Sequence, residues 1–172
     1  MFDRLYYVNQ AKKAGKYVDP IDSVSHYINE GDSLRISPHP LFDAHYYHHV
    51  HGDIEGSGMT SLFHFILHGY KEFRQVHPLF DMRYVSQQIG NRDCNPLEEY
   101  LMASPGTYNP HPDIDEHYII EQLEEAGVSV RNALSAFLAV DNTIINPSRD
   151  FDMHAYIQLN PDIRQYNAAY HY

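Results

Sequence analysis

A short segment that opens on Phe or Ile followed by Asp returns along the chain: FDRLYY at Phe2, FDAHYY at Phe42, FDMRYV at Phe80, IDEHYI at Ile114 and FDMHAYI at Phe151. Successive starts lie 34 to 40 residues apart. A second block follows each of the first four starts: DPIDSVSHYINEG from Asp19, TSLFHFILHG from Thr60, NPLEEYLM from Asn95 and VRNALSAFLA from Val130. A third block joins one segment to the next and reads SPHPLFD, QVHPLFD, NPHPDID and NPSRDFD. A period of this length constrains the fold more than any composition does. Each unit is one supersecondary element that buries its apolar face against a neighbour.

Elementary physics gives each block a task. Asp3, Asp43, Asp81, Asp115 and Asp152 are placed as N-caps, where a carboxylate accepts from free backbone N–H groups and meets the positive end of the helix dipole. The residue before each Asp and the residue four after it are then Phe2/Tyr7, Phe42/Tyr47, Phe80/Val85, Ile114/Ile119 and Phe151/Tyr156. All are apolar or aromatic, which is the pattern of a hydrophobic staple. The second block reads as a second helix. Asp19-Pro20 and Asn95-Pro96 set an N-cap before a proline at N1, and Gly31 and Gly69 suit a left-handed C-terminal cap. Tyr27, Phe65, Tyr100 and Phe137 occupy matching positions and are expected to face the core. With them, Phe42, Tyr47, Phe80, Ile119 and Tyr156 form the expected apolar spine. The proline-containing connectors stop helix continuation, because the residue before proline is driven out of the α region.

The expected fold is therefore all-α: tandem helical-hairpin repeats of roughly 34–40 residues, as a short α-solenoid or compact helical array. The units run 2–40, 41–78, 79–112, 113–149 and 150–172. His171-Tyr172 aligns with His26-Tyr27, so the last unit reads as truncated and the chain as a piece of a longer protein.

The units resemble a tandem repeat found in large bacterial surface-polysaccharide proteins, especially beside glycosyltransferase domains, of the form FDxxYYLxxNPDV…NPLxHYLxxG…PLFD. FDMHAYIQLNPDI from Phe151 to Ile163, NPLEEYL from Asn95 to Leu101, and HPLFD at His39–Asp43 and His77–Asp81 carry the resemblance. It covers essentially the whole chain. Units two and three lack the NPDV step, and the EGR element survives only around Arg35 and as EFR at Glu72–Arg74. The resemblance implies a non-catalytic accessory module whose partner is a glycosyltransferase domain or another protein, and a polysaccharide as a further partner. It implies a bacterial cytoplasmic location, associated with a membrane through the parent protein. The alternative is a glycan-binding module of a secreted or cell-surface protein. No cofactor is expected.

Composition narrows the classes. The net charge is −11 with histidine neutral, which disfavours a nucleic-acid or anionic-membrane partner. A single cysteine, Cys94, allows no intrachain disulfide, and no run approaches the ~20 apolar residues of a membrane span. The sequence has no nucleophile elbow, P-loop, dinucleotide fingerprint or zinc-finger spacing. Adjacent Glu98-Glu99 and Glu124-Glu125 diverge on a helix and read as solvated faces.

Three sets of residues remain as candidates. His45 and His49, and His64 and His68, are spaced i, i+4 on successive helices and could present imidazoles to zinc. His64 also shares its repeat position with His26, which is a structural reading. His39, His77 and His111 recur in the connectors, either as a ladder of ligand contacts or as turn residues bonded to a nearby carbonyl. Tyr6, Tyr46 and Tyr84 are the aromatic side chains left free of the staple, and could stack on a sugar; core filling is their structural alternative. A stand-alone metal enzyme built on the histidines is a third functional class.

Overall fold

A computed structural model describes residues 1–90, 93–140 and 145–160. Nine α-helices and no β-strand occur among the described residues: α1 Arg4–Lys13, α2 Ser23–His26, α3 Ala44–Val50, α4 Ser61–His64, α5 Met82–Ile89, α6 Pro96–Met102, α7 Glu116–Glu125, α8 Ala133–Ala139 and α9 Met153–Leu159. The protein is all-α. α2 and α4 run on as π-helical turns, Tyr27–Gly31 and Phe65–Gly69. The chain divides into two compact units, Met1–His77 and Pro78–Tyr172. In the first, α1 packs on α2 and α3 on α4; in the second, α5 packs on α6 and α7 on α8. Among the described residues no helix is long and apolar enough to cross a membrane.

The helix starts follow the expected chemistry. The carboxylates of Asp3, Asp43, Asp81, Asp115 and Asp152 accept from the N–H groups of Tyr6, Tyr46, Tyr84, Tyr118 and Ala155 at 2.9–3.0 Å. The staples close behind them. Ring centroids lie 5.2 Å apart for Phe2/Tyr7, and 5.1 Å apart for both Phe42/Tyr47 and Phe151/Tyr156. Phe80/Val85 and Ile114/Ile119 are buried pairs. Four of these cap residues also use their own N–H. Asp3 donates to the Pro38 carbonyl, Asp43 to Val76, Asp81 to Pro110 and Asp115 to Pro147, at 2.8–2.9 Å. These acceptors are the same position of successive connectors.

The connectors are held from the other side as well. Ser37 Oγ accepts from Ala44 N–H, Asn109 Oδ1 from Glu116 N–H and Asn146 Oδ1 from Met153 N–H, at 2.9–3.1 Å. The residue before the connector proline thus bonds the first N–H of the helix that follows. Gln88 grips the Asn109 backbone by both its N–H and its carbonyl, and Gln122 grips Asn146 in the same way, at 2.8–3.0 Å.

Three expectations are corrected. Asp19 does not cap α2, which starts later, after Asp22; its carboxylate instead accepts from Ile21 N–H at 2.8 Å, closing an Asx turn around Pro20. Gly31 and Gly69 are not left-handed caps; the left-handed residues after these helices are Arg35, with φ 60°, and Phe73, with φ 53°. Tyr156 is half-buried, whereas Phe42, Tyr47, Phe65, Phe80, Tyr100, Ile119 and Phe137 are buried. His171-Tyr172 and Pro161–Ile163 lie outside the described residues.

The cap bond sets a test. Asp43→Ala should cost about 1 kcal/mol of stability in urea unfolding, and Asp43→Asn much less, since the amide oxygen still accepts. Equal losses for the two variants would mean that charge, not the cap bond, holds this helix start.

Candidate functional site

Unit Met1–His77 concentrates the polar chemistry. Tyr7 and Tyr47 each extend from a first helix to a histidine of the next. Tyr7 shares a hydrogen bond with His26, Oη to Nδ1 2.6 Å, and Tyr47 shares one with His64 at 3.1 Å. Burial, reinforced by Glu30 and Asp32, pushes the Tyr7 hydroxyl up to about 12. Burial also raises Tyr47 and lowers His64, so this pair stays neutral near neutral pH. The hydroxyls end against the glycines: a Cβ at Gly31 would fall on the Tyr7 oxygen, and one at Gly69 on the Tyr47 oxygen. These glycines therefore serve close approach. In the next sequence unit, Val85 stands at the Tyr position, Glu99 at the His position and Ser104 at the Gly position. The three residue types are lost together, and so is the π-helical turn, because α6 is plain α-helix.

A buried carboxylate joins the two helix pairs of this unit. Asp32 is 7% exposed. Its Oδ1 accepts from the Tyr27 hydroxyl at 2.9 Å, from Ser61 N–H at 3.0 Å and from the Ser61 hydroxyl; its Oδ2 faces His48 Nε2 at 3.2 Å. Burial and the nearby Asp32 charge raise Tyr27 far above the usual phenol range, so it remains a donor. Ser, His and Asp meet here with the carboxylate in the middle. Acyl transfer needs the imidazole in the middle, next to the hydroxyl. Ser61 is fully buried and its proton is directed to Asp32, so this constellation organises the core and has no nucleophile.

The second unit repeats half of the idea. Tyr100, at the position of Tyr27, donates to Glu116 at 2.9 Å. Glu116 is 2% exposed. Burial raises its carboxyl from 4.5 to about 7, against the lowering effect of the Tyr100 hydroxyl and the Gly106 N–H. Phe65 and Phe137 occupy the same core position without a hydroxyl. Neither Asp32 nor Glu116 was expected from the sequence. The available signal was Tyr in place of Phe at a buried position, since a buried phenol needs a partner.

An open cleft of ≈ 340 Å³ lies in unit Met1–His77, lined by Arg35, His45, His48, His49, Gly52 and Glu55. Arg35 donates to Glu55 at 2.9 Å and to the Asp32 carbonyl at 3.2 Å. Of the sequence candidates, His45 and His49 stand exposed on this cleft. His64 is buried and bonded to Tyr47, and exposed His68 lies 5.7 Å from it, ring to ring. Among the described residues no group of three or more His, Cys, Asp or Glu side chains is placed to hold a metal ion.

His39 and His111 of the connectors act as acceptors. His39 Nδ1 accepts from Leu41 N–H at 3.0 Å and His111 Nδ1 from Asp113 N–H at 3.2 Å, so the expected bond to a carbonyl is replaced by one to an amide. His77 is 1% exposed. Burial holds His39 down to about 4 and His77 to about 3. Tyr6, Tyr46 and Tyr84 are half-buried. Burial, with Asp43 and Asp3 nearby, takes Tyr6 up to about 12; burial and Asp43 also raise Tyr46. No family model, curated protein or solved structure matches the chain.

Two tests follow from this geometry. Gly69→Ala should destabilise by roughly 2 kcal/mol through overpacking. In a Tyr47→Phe background that cost should fall by about half or more, because the ring carbon Cζ stands at 3.5 Å from the added Cβ and the remaining tight contact is Phe65 at 3.1 Å. Equal costs in both backgrounds would show that the hydroxyl is not what demands glycine. For Glu116, the fold holds the protonated form above its unfolded value. Its contribution is complete below pH 4.5 and is lost as pH rises to about 7. The loss is on the order of 3 kcal/mol. Glu116→Gln should flatten the stability–pH curve across this window; an unchanged slope would refute the assignment.

Proposed function

We propose that this chain is a non-catalytic array of helical-hairpin repeats that serves as an accessory module to a glycosyltransferase or related polysaccharide-assembly protein, holding a protein partner or the glycan. The observation that carries this reading is the recurring bond from the cap Asp N–H to one fixed connector position, found for Asp3, Asp43, Asp81 and Asp115. Repeated sequence is matched by repeated bonding, which supports an array of like units offering an extended surface. The polar residues that a catalytic reading would draw on are occupied. The cap carboxylates bind helix N–H groups, His26 and His64 bind tyrosines, and Ser61 donates to Asp32. The glycosyltransferase association and the bacterial cytoplasmic location rest on the sequence resemblance. The secreted glycan-binding alternative shares the same surface and differs in the neighbouring domains.

The reading is tested by sequencing the reading frame and its neighbours on both sides of the chain, and by incubating the chain with labelled nucleotide sugars and oligosaccharides. A nucleotide-sugar transferase domain nearby, with no turnover by the chain itself, is the expected result. Turnover by the isolated chain would overturn the non-catalytic assignment. A secretion signal with no transferase would transfer the case to the secreted alternative.

A further inference from the structure

The cleft beside α3 holds polar groups that neither the caps nor the core consume. We propose that it is a subsite for the hydroxyl groups of a neutral saccharide. This rests on the glycan-holding part of the function above, and it specifies the ligand class and the residues that read it.

The lining offers donors and acceptors side by side. Arg35 uses one N–H on the Asp32 carbonyl and one on Glu55, and further N–H groups of the guanidinium are left over. Glu55 is an exposed carboxylate that only accepts. His45 and His49 are exposed one helical turn apart, and each neutral ring has one donor and one acceptor nitrogen. His48 stands between them with its side chain 7% exposed. Its Nε2 faces Asp32 Oδ2 at 3.2 Å, which places a proton on Nε2. The other ring nitrogen, Nδ1, is buried and has no hydrogen-bond partner in the protein.

A sugar hydroxyl both donates and accepts, so a mixed rim of this kind suits a diol. An anion needs donors alone; it would meet Glu55 at the rim and a chain of net charge −11. A metal ion is disfavoured because no three ligands converge among the described residues. The size is that of a small-ligand pocket. Gly52 contributes room: a Cβ there meets nothing within 4 Å, and its backbone is not left-handed. A Cβ at Gly52 is therefore accommodated without backbone strain on the edge of the cleft, which makes this position the place to probe it.

The test uses the whole chain with maltotriose, mannotriose and chitotriose as neutral probes and trigalacturonate as the anionic one. Ring ¹⁵N signals of His45, His48 and His49 are followed during titration. At least one neutral trisaccharide should shift all three saturably in the millimolar range. Gly52→Leu should weaken that binding by about tenfold or more while its melting temperature stays at the wild-type value. The cleft assignment is overturned if no neutral probe moves these rings, or if trigalacturonate moves them more strongly. A sugar that shifts only tyrosine signals such as Tyr6, Tyr46 or Tyr84 also overturns the cleft, yet leaves the glycan-holding module standing. A transferase domain beside a chain that binds none of the probes would sink the cleft alone.

Discussion

The cap aspartate is the constraint on which the rest of the structure depends, because one residue satisfies two demands at opposite ends of a unit. Its carboxylate closes the helix start, and its own N–H reaches across to the connector carbonyl, as Asp43 does to Tyr46 and to Val76. In an ordinary capping box the N-cap N–H is met by a glutamate three residues on. Here residues beyond the helix take that role. The substitution has a consequence for the packing: a local cap becomes a long-range tie, so the start of one helix pair is bonded to the connector that follows it. Ser37, Asn109 and Asn146 then bind the first N–H of the next helix, which ties these three connectors to the helices they lead into. Proline at positions 38, 110 and 147 suits this place because the position gives a carbonyl and stops a helix.

Once the helix starts are fixed in this way, the interior is decided by hydroxyl groups. Tyr7 and Tyr47 bring an oxygen into the core, and that oxygen requires a histidine to bond and a glycine to make room. Val85 brings none, and neither residue type is kept at the matching positions Glu99 and Ser104. The same logic governs Tyr27 with Asp32 and Tyr100 with Glu116, against Phe65 and Phe137. A buried polar atom left alone costs about 1–3 kcal/mol, so each hydroxyl drags its partners into the sequence with it.

Legibility in the sequence follows the range of the interactions. Caps and staples act over three to five residues, and Asp3, Asp43, Asp81, Asp115 and Asp152 could be assigned from spacing alone. The core aromatics were legible because they share a repeat position, with Tyr156 the exception. Gly31 and Gly69 were misread because a glycine after a helix has two uses, and only the tertiary contact with a tyrosine distinguishes close approach from a left-handed cap. Asp19 was misread because Asp-Pro also forms an Asx turn. Asp32 and Glu116 were missed because the partners that fix them in the core, His48 and Ser61 for Asp32 and Tyr100 for Glu116, lie 16 to 29 residues away; only Tyr27 is local to Asp32. The cleft was half-visible: His45 and His49 stood out, but Arg35, Gly52 and Glu55 carry no local signal.

The division between consumed and available polar groups then bears on function. In unit Met1–His77 the histidines split in two. His26, His64 and His39 are bonded inward to tyrosine or backbone, whereas His45 and His49 stand on an open surface beside Arg35 and Glu55. Stability accounts for the first group and offers no reason for the second. Exposed imidazoles one turn apart on a seven-residue helix gain little from the fold, since surface pairs contribute about 0–1 kcal/mol at most. His48 connects the groups: its Nε2 is tied to the Asp32 network that locks the core, and its ring lines the cleft. One ring thus stands between the proposed subsite and the carboxylate that also accepts from Tyr27 and Ser61.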